Sequence, residues 1–185
     1  MLNKFFNHSF KMTMSKLLFS SIIMSILILS CSKDKNKEEQ VNNNDILRIK
    51  MTLENLALDN LKDWEPPFNE DKFLQDFTQS IDFKFTVDGY HINDFEKWET
   101  IVYESMEFDR VNHKQYKHSI KDIQTTVLSI NSGVVTINYI WDYITNDDLH
   151  YKVPATVTSV YRFEDKDWKI INSHVSHGEK RLLKE

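Results

Sequence analysis

The stretch from Trp168 to Gly178, WKIINSHVSHG, carries two histidines and two serines at the far end of an apolar run. Alternate side chains of a strand share a face. Trp168, Ile170, Asn172, His174 and Ser176 therefore fall on one side, and Lys169, Ile171, Ser173, Val175 and His177 on the other. If Trp168 and Ile170 face a core, His174 and Ser176 continue that line. A histidine so placed is a general acid or base near neutral pH, or a hydrogen-bond donor to a ligand. The competing reading is that the pair closes the sheet by bonding neighbouring backbone, as buried polar groups generally must. A Ser–His nucleophile is disfavoured, because a serine two residues along one strand lacks the strained turn and oxyanion donors of such sites.

Other candidates are weaker. His174 and His177 face opposite sides, and His113 and His118 lie in a polar segment without an acidic partner at helical spacing, so no metal site is expected. No cofactor is indicated, since the chain has no Gly-rich phosphate loop. The strand VVTINYIWDYI sets Val135, Ile137, Tyr139, Trp141 and Tyr143 on one face, a row that suits either core packing or an apolar pocket with phenolic handles. Asp142 falls on the opposite face, as a solvated carboxylate or a partner for Arg162. An isomerase-type mechanism needs a carboxylate in an apolar pocket facing a phenol or second acid. Asp82 lies opposite Ile81, Phe83 and Phe85 by alternation and is expected in solvent, and no other acid offers a convincing base.

These groups are positioned by readable elements. Asp45 can cap a helix bearing Ile46, Ile49, Leu53, Leu56 and Leu61 and ending near Trp64, before Pro66 and Pro67. Asn69 can cap a short second helix that faces Phe73 and Phe77 inward. Ile81, Phe83, Phe85 and Val87 then alternate as a strand. Asn93 and Glu96 form a capping-box pattern ahead of a third helix carrying Phe95, Trp98, Ile101 or Val102, and Met106. Four long antiparallel strands follow, near 116–130, 134–144, 151–163 and 167–176. Short turns at NSG, TNDDL and EDKD join them. Helices first and a meander afterwards predict an α+β domain, with helices on one face of a curved, mainly antiparallel sheet.

Composition sets the frame. The 185 residues are 41% hydrophobic and hold only 3 Gly and 3 Pro, which suits one core without repeats. Cys31 is the single cysteine, so no internal disulfide framework exists. Residues 1–30 contain three lysines and no acid, which leaves 20 basic against 28 acidic side chains beyond them, a net charge of −8. That balance argues against nucleic acid as a partner.

The order of elements, together with TSVYRFEDKDWKIINSHVS at Thr158–Ser176, resembles the NTF2-like superfamily and its SnoaL-like and DUF4440-type domains, over roughly residues 45–178. The resemblance implies a cone with an open cavity and frequent dimers through the outer face of the sheet, where Lys169, Ile171, Ser173 and Val175 would contribute. HINDF and EDKDW stand where relatives often carry glycines. The superfamily mixes isomerases, dehydratases, cyclases and transport factors, so the fold fixes no reaction.

Ahead of the domain, Lys16 and the apolar run Leu17–Leu29 have the length of a signal-peptide core and are short for a membrane span. ILSC resembles a bacterial lipobox, which implies lipidation of Cys31 and stable anchoring through several acyl chains. The polar segment 31–44 cannot bury enough surface to fold and reads as a tether, and 179–185 reads as a charged tail. The expected protein is a lipid-anchored component of the bacterial cell envelope. Its pocket would draw on Trp98, Tyr103, Tyr139, Trp141, Trp168, His174 and Ser176 to bind a small apolar molecule without catalysis. The alternatives are a dimeric interaction module, or an isomerase, dehydratase or cyclase using His174 with Tyr139 or Tyr103.

Overall fold

The computed structural model describes residues 42–183. The leader, Cys31 and most of the tether therefore lie outside the described residues. Among those described, no helix is long and apolar enough to cross a membrane.

Helix α1 spans Asn43–Asp63, and its cap is Asn42, whose side chain accepts from Asn44 N and Asp45 N. Asp45, read from the sequence as the cap, instead sits in the first turn, where the helix dipole favours an acid. The helix stops at the diproline because proline lacks the N–H needed to continue it. Asn69 caps α2 (Glu70–Gln75), accepting from Lys72 N. Strands β1 (Lys84–Val87) and β2 (Tyr90–Ile92) form a small hairpin, and Asp94, not Asn93, caps α3 (Phe95–Asn112). Ile81 was read as strand, yet it is 97% exposed. Thr78 Oγ1 accepts from Ser80 N, and Phe83 N bonds Ser80 O, so the chain turns there instead of extending.

The long strands are β3 (His113–Ser129), β4 (Ser132–Thr145), β5 (His150–Glu164) and β6 (Asp167–His177). The sheet order is β2-β1-β6-β5-β4-β3. It is antiparallel except where β1 runs parallel to β6. Within the segment read as a charged tail, β7 (Arg181–Leu183) pairs with β5 at His150–Lys152.

The three helices pack on the concave face of this sheet. Leu53 of α1, Val102 and Met106 of α3, and Val135 and Ile137 of β4 are almost fully buried in one cluster. Each such side chain contributes about 1.5–3 kcal/mol by leaving water. Gly133 permits a close approach of α1 to the sheet, for a Cβ there would stand 2.4 Å from Leu53 Cδ1.

Two bulges decide which residues face inward. In β6, Val160 pairs with Asn172 but Tyr161 with Ile170, so Ile171 has no cross-strand partner. The bulge falls where β6 changes its other neighbour: Ile170 bonds backbone at Asp76 and Thr78, whereas Asn172 onward pairs with β1. In β3, Ile120 pairs with Tyr139 and Asp122 with Asn138, leaving Lys121 as the extra residue. An extra residue reverses the alternation beyond it.

Candidate functional site

A cavity of about 470 Å³ lies between the concave face of the sheet and helices α1 and α3. Its walls are mostly apolar and aromatic: Phe77, Phe85, Trp98, Ile137, Tyr139, Trp141 and Val157 among others. The predicted residues Trp98, Tyr139 and Trp141 line it.

The other predicted residues do not. The bulge at Ile171 turns His174 and Ser176 to the outer face, where both are exposed and bond each other at 3.2 Å. Ser173, Val175 and His177 take their place along the cavity. This also removes Ser173 and Val175 from the proposed outer contact surface. Tyr103 is 42% exposed on α3, and its hydroxyl donates to Asp71. Trp168 precedes the bulge and packs edge-on against Phe163, beside the core and away from the cavity lining. Asp82 is exposed as expected and pairs with Arg162 at 2.7 Å, whereas Asp142 bonds His150, not Arg162.

Two groups that sequence reasoning passed over are the most chemically able. The bulge at Lys121 puts Tyr116, His118 and Ile120 on the inner face, opposite Tyr143, Trp141 and Tyr139. His118 meets Glu65, which follows the end of α1. Its backbone N–H donates to the Glu65 carboxylate, and its ring Nδ1 lies 3.3 Å from Glu65 Oε1. Burial alone would push the Glu65 carboxyl up, but the bonds from His118 and its charge hold it below the ordinary range. The His118 ring packs edge-on against Tyr139 at 5.0 Å. The dyad was hidden because its members stand 53 residues apart. Its one sequence signal was the alternation of Tyr116, His118 and Ile120.

Asp109 is the second. It continues the buried stripe Trp98, Val102, Met106 of α3 and is 6% exposed. An acid at helical spacing on an apolar stripe was the readable sign. Burial pushes its carboxyl up to about 6, against the pull of hydrogen bonds from Trp64 and Tyr116. Trp64 Nε1 donates to it at 3.1 Å, and His113 Nδ1 lies 3.3 Å away, four residues on, so His113 does have the acidic neighbour at helical spacing that the sequence reading denied it. Burial and the nearby Lys180 charge lower the His113 pKa, which favours its neutral form. Burial raises the Tyr116 phenol well above its usual range, and the Asp109 charge adds to the effect. Asp109 and Tyr116 thus supply the carboxylate and phenol that the sequence had not revealed.

His177 closes another side. Its backbone N–H donates to Asp88 at 2.8 Å, and its ring Nδ1 lies 2.8 Å from the other carboxylate oxygen. Asp88 occupies the hairpin turn with φ of 47°, a left-handed conformation that aspartate tolerates.

No protein-family model matches the sequence, and no curated protein matches it. Solved structures do. A hexachlorocyclohexane dehydrochlorinase, LinA type 3, from Novosphingobium barchaimii is similar at TM-score 0.64 and 14% identity, over 77% of this chain and 94% of that one. A protein proposed to be a scytalone dehydratase from Novosphingobium aromaticivorans gives 0.65 and 9%, over 78% and 93%. An NTF-2-like protein of unknown function from Shewanella oneidensis gives 0.51 and 20%, over 67% and 95%. Identities this low speak to fold alone, and the fold they share with this chain is the NTF2-like, cystatin-like one.

Proposed function

We propose that the domain binds a small, largely apolar molecule in its cavity, and that lipid on Cys31 holds it to the outer side of a bacterial membrane. The observation that carries the first part is the cavity itself, about 470 Å³ of mainly aromatic and aliphatic wall with a few converging polar groups, the usual makeup of a small-molecule site. The support for the second part is the apolar run ending in ILSC. Native mass spectrometry of gently purified protein tests the binding. A retained small molecule that is lost in Ile101→Trp, which fills the lining, is the expected result, and empty protein under all gentle conditions opposes it. For the anchor, Cys31→Ser should shift the protein from the membrane to the soluble fraction.

A second reading is favoured by the Glu65–His118 pair, a histidine on the cavity wall with a carboxylate oxygen 3.3 Å from its Nδ1, the residue types of a general base and the group that orients it. The reaction class would be proton abstraction from a bound apolar substrate, followed by elimination or isomerisation. Asp109 with Tyr116 would return a proton or stabilise developing negative charge. The names of two similar structures, a dehydrochlorinase and a proposed dehydratase, agree with that class. His118→Phe separates the readings: binding that survives with no measurable turnover in either protein leaves a binding module, and turnover lost only in the variant establishes the enzyme.

A further inference from the structure

Two histidines line the cavity, and they differ in how their rings are held and whether they are reached. His118 Nδ1 is buried without a hydrogen-bonding partner among the described residues, and its side chain is 5% exposed. His177 is fastened at two points. One carboxylate oxygen of Asp88 takes its backbone N–H and the other meets its ring Nδ1, each at 2.8 Å, while Asp88 N donates to Val175 O at 3.0 Å. Burial alone would push the Asp88 carboxyl up, but the bonds and charge of His177 hold it below the ordinary range. An ionised carboxylate only accepts. The ring hydrogen therefore sits on Nδ1, and in the neutral ring Nε2 carries the lone pair.

Nε2 is also within reach. No hydrogen bond among the described residues uses it, and it is not one of the buried unpartnered atoms, unlike His118 Nδ1 and the indole nitrogens of Trp98 and Trp141. The His177 side chain is 27% exposed at the cavity wall, beside the Trp141 ring at 5.7 Å. Other polar groups of the wall are spent: Ser159 and Ser173 bond each other, and Asn60 gives its amide hydrogens to the Phe73 carbonyl and Asp76. Ser105 and Tyr139 carry hydroxyls, which give or accept alike. The reachable groups with a fixed preference are then acceptors, His177 Nε2 and the exposed Glu104 carboxylate, and no lysine or arginine among the described residues lines the cavity. Glu104 stands in water and discriminates little, whereas His177 adjoins the aromatic wall.

Resting on the reading of the cavity as a ligand site, we propose that the ligand is an apolar molecule bearing a hydroxyl, a phenol or other hydroxylated ring, whose O–H is received by His177 Nε2 while Asp88 fixes the ring. A ligand of the same shape without that hydrogen leaves the nitrogen unpaired and is discriminated against on that account.

The test compares two probes of nearly the same shape on the full chain at pH 8. 2-Naphthol has a hydroxyl where 2-methylnaphthalene has a methyl group. By calorimetry both are expected to bind, and 2-naphthol is expected to move the nitrogen-15 signal of His177 Nε2 upfield, with no such movement for 2-methylnaphthalene. His177→Phe keeps a flat ring and removes the acceptor. The ratio of the two affinities should turn against 2-naphthol by about tenfold or more in that variant, and stay unchanged in Glu104→Gln. A ratio that holds in His177→Phe, a ratio that shifts in Glu104→Gln instead, or 2-naphthol bound with the Nε2 signal unmoved overturns the inference and leaves the binding site standing. Binding of 2-methylnaphthalene alone does the same. Binding of neither probe removes the cavity reading and the inference together. The spectra are taken on the natural sequence, so they decide even if a variant does not fold.

Discussion

Glu65 lies 3.3 Å from His118, and Asp109 lies 3.3 Å from His113. The residue types and distance match, but the carboxyls move in opposite directions. Glu65 stays below its ordinary pKa because His118 offers it a backbone N–H, a ring nitrogen and an attractive charge. Asp109 rises to about 6, because it is buried and the donors it gains from Trp64 and Tyr116 are neutral. Burial therefore decides the direction where the neighbouring donors are neutral, and it lowers the His113 pKa as well as raising that of Asp109.

Five substitutions break or sharpen this contrast. Asp109→Asn has the largest expected effect: stability at pH 8 should rise by about 2–3 kcal/mol, the linkage value of roughly two pKa units. The sign follows from a folded pKa above the unfolded 3.8. The fold is favoured while the group is protonated and loses that advantage as pH climbs toward 6, so the gain should vanish below about pH 4 in urea titrations. Glu65→Leu should do the reverse, costing about 2 kcal/mol at pH 7 by stripping the buried His118 N–H and ring of their acceptor. Glu65 has a lowered pKa, so its contribution is present above 4.5 and fades as acid protonates it. The milder Glu65→Gln should flatten that acid limb of the stability curve. His113→Phe should change stability at pH 8 by about 1 kcal/mol or less. Below pH 6.5 it should outlast the natural protein, since a histidine with a lowered pKa weakens the fold as it takes up a proton. His174→Ala, an exposed position on the outer face, should stay within about 0.5 kcal/mol and leave ligand binding intact. Loss of binding in that variant would return the site to the face first read from the sequence.

Much of the fold was legible. Helical spacing in 45–64 and 95–106, the diproline stop and the turn sequences located all three helices and the four long strands to within a few residues. The site was legible only in part, because strict alternation holds only while every residue of a strand has one partner. Trp98, Tyr139 and Trp141 lie on uninterrupted stretches and were placed on the cavity side. His174 lies beyond the bulge at Ile171 and was assigned the opposite face from the one it occupies, while His118, before the bulge at Lys121, was read only as part of a polar segment. Nothing in KHSIKDI or KIINSHV marks Lys121 or Ile171 as the surplus residue. The mark is the neighbouring segment, 76–78 against β1 in the case of β6, which becomes adjacent only on folding.

The bulge at Ile171 makes the distal half of β6 behave like text whose reading frame has slipped by one letter. Deleting that single residue would close the ladder, with Val160–Asn172 directly beside Tyr161–Ile170, and would leave every side chain from Asn172 to His177 on the face it has now. The wet and dry sets would exchange only if Ile171 were drawn into the ladder as a paired residue, which would send His174 and Ser176 inside and Ser173, Val175 and His177 out. Comparing related chains by aligned position without counting the bulge would pair residues that never meet the same surroundings.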